Sequence, residues 1–196
     1  MPGKYQLKRR AERQQRTRAR IVEAAVGLHN TVGPLRTTDA AISERAGVTR
    51  MTFYRHFPDE VSLFRACTLH ALAKWPPPDP RAWRRIANPE ERLRLGLSEL
   101  YSYYRVAGPG LAMLARDAPL MRPDLFTSPS RFEVLRSAGE VLIEGSGARG
   151  RRRKLLAAAI NHAAAVPTWQ SLVQQQGLAE EEAVELLVAM VTAFRR

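Results

Sequence analysis

The stretch TTDAAISERAGVTRMTFYRHFPDEVSLFRA, Thr37 to Ala66, decides how the rest of the chain is read. Thr37 or Thr38 can cap a short helix, because a threonine hydroxyl accepts from a backbone N–H of the first turn. Ala41, Ile42 and Ala46 then face one way until Gly47 interrupts. Val48 follows, and Thr49 offers a second cap for a segment from Arg50 to Phe57 that stops before Pro58. Two short helices joined by a glycine-containing turn make a helix-turn-helix layout, in which the second helix enters the major groove of DNA. Any helical hairpin can show that spacing, so the residues on the outer face matter more. Phe53 and Phe57 stand at i, i+4 and are needed inside. That leaves Arg50, Met51, Thr52, Tyr54, Arg55 and His56 outside or at the rim, with no acid among them.

The charge supports the same direction. The 196 residues carry a formal net charge of +12, which attracts polyanions such as nucleic acid or an anionic membrane. Residues 1–75 hold 14 Lys and Arg against 6 Asp and Glu, while residues 76–196 hold 17 against 13, so most of the excess lies toward the N-terminus. Residues 1–17 contain Lys4, Lys8, Arg9, Arg10, Arg13 and Arg16 with Glu12 the only acid, and read as a basic disordered arm able to neutralise phosphates. From Thr17 an amphipathic helix begins, with Ile21, Ala25, Leu28 and Val32 on one stripe, and Gly33-Pro34 ends it. Residues 18–58 are the expected DNA-binding domain. The single cysteine, Cys67, excludes an intrachain disulfide framework and reads as a small core residue. With no apolar run of membrane-spanning length, a cytoplasmic protein that makes no membrane contact is expected.

The stretch Thr37–Ala66 resembles the N-terminal domain of the TetR/AcrR family of regulators. The shared features are a capping Thr, an apolar-Ala helix, AGV, a short reader helix ending in Y-x-x-F, and an Asp-acid-apolar-Leu-Phe start to a linking helix. The resemblance implies that Thr38, Tyr54 and His56 touch phosphates and that Arg50, Met51 and Thr52 face base edges, with Thr49 capping the reader helix. Met51 stands where the family often has a small residue or glycine, which points it toward a thymine methyl or a sugar. The implied fold is all-α: a three-helix helix-turn-helix head and a C-terminal helical domain for ligand binding and dimerisation. The implied function is a homodimeric repressor on double-stranded DNA with a palindromic operator, released by a small apolar effector. The alternative is a small enzyme or binding protein for a hydrophobic ligand without DNA specificity.

Residues 59–196 are assigned to that C-terminal domain. Asp59 to Lys74 reads as a linking helix that ends before Pro76, Pro77 and Pro78. Asn88 caps a helix from Pro89 bearing Leu93, Leu97, Leu100 and Tyr104, which Gly108, Pro109 and Gly110 are expected to break. A loop-rich stretch marked by Pro119, Pro123 and Pro129 precedes a helix over about 130–144. A long stripe from Arg151 runs toward Trp169 and ends near Gly177. The last helix offers Leu187 and Val191 for a dimer interface.

Trp83, Tyr101, Tyr104, Met113, Met121, Phe126, Phe132, His162 and Trp169 are candidates for the wall of an effector pocket, the alternative being plain core. Gly145, Gly147 and Gly150 spell G-x-G-x-x-G, but a helix-like stripe precedes them and the next acid is Glu180. A flexible interhelical loop fits better than a dinucleotide site. The four histidines form no metal-ligand spacing, and neither a nucleophile elbow nor an HExxH motif occurs, so neither a catalytic residue nor a metal or cofactor is assigned.

Overall fold

A computed structural model describes residues 4–126 and 131–193, with the side chains of Lys4 and of residues 131–136 outside that description. Every long element among the described residues is helical, and they divide into two compact units, residues 1–74 with 113–128 and residues 75–112 with 129–196. The linking helix and the stretch 113–126 thus group with the N-terminal head, whereas the sequence places everything after residue 58 in the second domain.

The N-terminal unit holds α1 (Lys4–Thr31), α2 (Asp39–Ala46), α3 (Arg50–His56) and α4 (Glu60–Lys74). Ile21, Val22, Ala24, Ala25 and Val26 of α1 are buried, and α1 packs on α2 and α4. Val32, expected on the same stripe, is exposed because the chain leaves the helix at Thr31. The helix also starts earlier than Thr17. Residues 5–16 are exposed but helical, and Thr17 sits mid-helix with its hydroxyl donating to the Arg13 carbonyl at 3.0 Å. The physical reason is propensity: Lys, Arg, Gln, Glu and Ala all favour helix, and no proline or glycine interrupts 4–16. Low hydrophobicity argues against packing here, and it does not argue against helix.

Both short helices begin as the sequence implies. The Thr38 hydroxyl accepts from the Ala41 N–H at 3.2 Å, and the Thr49 hydroxyl accepts from the Thr52 N–H at 3.2 Å. Gly47 closes α2 at φ 62°, a left-handed conformation that favours glycine. Phe53 and Phe57 are buried with ring centroids 6.2 Å apart, and the Arg18 guanidinium lies 4.3 Å from the Phe57 ring centre. On α4, Phe64 packs with Met121 and Leu125.

The C-terminal unit is built from α5 (Pro80–Trp83), most of α6 (Pro89–Asp117), α7 (Arg131–Ile143), α8 (Gly150–Ala163), α9 (Val166–Trp169) followed by a π-helical turn at Gln170–Gln175, and α10 (Glu180–Ala193). Its core gathers Trp83, Leu93, Leu97, Leu100, Leu142, Ile160, Leu187 and Val191 among others. Leu187 and Val191 are therefore core residues rather than a free dimer face. The exposed large apolar residues of α10 are Leu186 and Met190.

Two expected helix boundaries are corrected. Gly108-Pro109-Gly110 does not break α6, which carries Pro109 inside it. A proline removes one N–H bond, and the buried Ala107 and Leu111 on either side hold the helical register through tertiary packing. Gly108 is needed there because a Cβ would lie 2.8 Å from the Trp169 ring. Conversely, the stripe from Arg151 toward Gly177 is interrupted after Ala164, where Ala165 turns extended as the N-cap position of α9.

Candidate nucleic-acid interface

Side-chain packing sets the outer face of α3. With Phe53 and Phe57 inside, Arg50, Met51, Tyr54 and Arg55 are exposed and Thr52 and His56 are half-buried. Met51 is 82% exposed, a position for a long apolar side chain that suits contact with another molecule rather than the protein's own core. Thr38 is exposed at the N-terminus of α2, beside the helix pair. All seven residues singled out for DNA therefore sit in one unit, on α3 or at the two caps.

Their chemistry differs in one respect from the expectation. The Tyr54 hydroxyl donates to Asp39 Oδ2 at 3.0 Å, and that bond with the carboxylate's charge raises the phenol above its ordinary value. Its proton is committed to α2 in the free protein, so a phosphate must compete with Asp39 for it. His56 is shifted the other way. Partial burial, then the charges of Arg55 and Arg18, lower its imidazole below the ordinary value. It is a neutral hydrogen-bonding group near pH 7 rather than a cation.

A second set of residues, which the sequence did not single out, holds the bend between α1 and α2. Asp117 is buried, accepts from the Arg116 Nε–H at 2.7 Å and accepts from the Leu35 N–H at 3.1 Å. Arg116 also donates to the Val32 carbonyl at 2.9 Å. The two side chains clamp the bend between α1 and α2, where Gly33 has φ 93° and a Cβ would collide with both of them. The arginine and the peptide N–H hold the Asp117 carboxyl below its ordinary value. Only Gly33-Pro34 signalled this region in the sequence, and it signalled a helix end. The partner lies more than eighty positions away.

The nine pocket candidates are divided between the two units. Trp83, Tyr101, Tyr104 and Trp169 share the core of the C-terminal unit, with the Tyr104 and Trp169 rings 6.1 Å apart. The Tyr101 and Tyr104 hydroxyls donate to the Ala163 and Ala164 carbonyls at 3.0 and 2.6 Å, where the end of α8 leaves those groups without helical partners. The Trp83 indole N–H donates to Glu99 at 2.7 Å. Met113, Met121 and Phe126 belong to the other unit, and the Phe132 side chain lies outside the described residues. His162 is exposed on α8. The Trp169 indole N–H is buried and meets no acceptor among the described residues.

Among the described residues no group of three or more His, Cys, Asp or Glu could hold a metal, and no helix is long and apolar enough to cross a membrane. Burial pushes the Cys67 thiol up to about 12, which keeps it protonated and unreactive at neutral pH.

Two capped short helices, the second with no acid on its outer face, define a helix-turn-helix domain of the DNA-binding class. Residues 21–67 match the family described as bacterial regulatory proteins, tetR family. The HTH-type transcriptional regulator TtgR of Pseudomonas putida is 45% identical over 60 residues, which is 31% of this chain and 29% of that one. The chain thus aligns with under a third of that curated relative's length. The fold extends further. A TetR-like transcriptional regulator from Rhodococcus superposes with a TM-score of 0.60 at 19% identity, over 89% of this chain and 93% of that one. The multidrug binding protein EbrR, complexed with imidazole, superposes with a TM-score of 0.53 at 20% identity, over 88% and 93%.

Proposed function

We propose that this chain is a transcriptional regulator that binds a palindromic operator as a homodimer in the cytoplasm, represses from it, and is released by a small apolar effector. The observation that carries the DNA reading is the outer face of α3, with Arg50 at its N-terminal end and Met51 beside it, both exposed on a helix held by the Thr49 cap. Arg50 and Thr52 are assigned to base edges, Met51 to a thymine methyl or sugar, and Thr38, Tyr54 and His56 to phosphates. The exposed cations of α1 before Arg18 add phosphate contacts.

A single short reader helix covers few base pairs, and a two-fold dimer doubles its reach. Leu155 on α8 and Leu186 and Met190 on α10 are each more than 40% exposed, which leaves apolar faces on both helices for a partner copy. The effector reading is supported by the unsatisfied Trp169 N–H in an aromatic core, a donor that a ligand acceptor would satisfy. EbrR, a relative in fold, carries a small-molecule binder's name.

The deciding experiment is selection of genomic DNA fragments by the purified full-length protein. Recovery of one palindrome supports the reading, and recovery of no enriched sequence overturns it. Leu186→Glu with Met190→Glu is expected to yield monomers in sedimentation that no longer retain the selected site; an unchanged dimer places the interface elsewhere.

A further inference from the structure

The glycine triplet at 145–150 is followed by a run that operator reading leaves unused: GSGARGRRRK, Gly145 to Lys154. Arg149, Arg151, Arg152, Arg153 and Lys154 put five cations in six positions, and residues 145–179 contain no acid at all. Ordinary solvated surfaces mix the two signs, so a one-sign run of this length produces a local positive field. All five residues are exposed. Among the described residues no hydrogen bond or ion pair engages the side chains of Arg149, Arg151, Arg153 or Lys154.

Their position sharpens the point. α8 begins at Gly150, so Arg151 to Lys154 occupy its first turns, with no acid there and no side-chain cap from Arg149. Cations at the positive end of a helix repel the exposed N–H groups, and an anion relieves that repulsion. A Cβ at Gly147 or Gly150 would meet nothing within 4 Å, so the backbone beside the cations is open to approach. No apolar or aromatic side chain lies within 149–154 to enter a bilayer, which favours a phosphate chain over a lipid surface.

We propose that residues 149–154 form a second phosphate-binding surface for duplex DNA, carried by the C-terminal unit and separate from α3. The surface reads no sequence; it holds DNA by neutralising backbone phosphates.

The test measures affinity of the full-length protein for a random-sequence duplex across a range of salt concentrations. Each phosphate contact contributes roughly 0.9 to the slope of log affinity against log salt. Arg151→Gln with Arg153→Gln is expected to flatten the slope by roughly 1 to 2, with the melting temperature unchanged. Lys74→Gln with Arg105→Gln removes the same charge elsewhere and is expected to leave the slope nearly as it was. Equal flattening in both double variants overturns the proposal, since total charge alone would then explain it. An unchanged slope together with lost binding to phosphatidylglycerol vesicles overturns it in favour of a membrane contact. Random duplex needs no operator, so failure to select a palindrome bears on the operator reading and not on this one.

Discussion

On α3 of the N-terminal unit the polar groups turn outward, and only Tyr54 has its proton committed to another side chain, Asp39. In the C-terminal unit the aromatic residues that resemble them in composition do the opposite. Tyr101, Tyr104 and Trp83 are fully buried, and each finds an internal acceptor at Ala163, Ala164 or Glu99. The difference shows what separates a recognition surface from a core that contains polar atoms. A buried hydroxyl with a backbone acceptor stabilises packing, whereas an exposed donor keeps its hydrogen-bonding capacity for a partner. Trp169 is the exception inside the body, buried and without an acceptor among the described residues, and it is the place where ligand and core readings diverge.

The contrast can be broken most forcefully by destabilising one unit alone. Phe53→Ala removes a buried ring from the head and is expected to cost about 3 to 5 kcal/mol there. Trp75, Trp83 and Trp169 all lie in the C-terminal unit, so their fluorescence reports the body. The expected outcome is early loss of part of the far-ultraviolet circular dichroism while the tryptophan transition moves less. If both signals fall together, the two units share one cooperative transition.

A smaller effect comes from acid. Burial lowers the His29 imidazole to about 4, against 6.5 for the free group, with Asp117 opposing the shift. Between those values the unfolded chain binds the proton and the folded one does not, so folding stability falls as pH drops from 6.5 toward 4. The loss should amount to about 2 to 4 kcal/mol in total. His29→Gln is expected to flatten the pH dependence of head unfolding in that window; an equally steep dependence in the variant would assign it to other groups.

Arg50→Ala should weaken the selected site by about 1 to 3 kcal/mol and relax preference at one position per half-site. Equal weakening on random DNA would reassign Arg50 to a phosphate. The smallest expected effect is at the bend, where Asp117→Asn keeps the shape and loses the charge. It should cost about 1 to 2 kcal/mol of head stability, and a loss of operator affinity beyond that would mean the bend also aims α3.

The short-range features of the head were legible because each depends on neighbours in the chain. A threonine caps the helix that starts at the next residue, a glycine closes it, and two phenylalanines four apart mark its buried side. Thr38, Thr49, Gly47, Phe53 and Phe57 all behave in this way. The body was legible as helices and illegible as boundaries. Pro109 stays inside α6 because packing on both sides outweighs one lost hydrogen bond, and the end of α8 is stabilised by tyrosines sixty residues away.

The sequence sufficed for the helical class, the two short helices of the head and the outward residues of the second, since caps, turns and periodicity act within a few positions. It could not say that Leu187 faces the core while Leu186 faces out, that His162 is exposed, or that Arg116 and Asp117 hold the bend at Gly33. Those facts depend on which distant surface meets each side chain, and the hydrophobicity of a residue is the same whichever surface that proves to be.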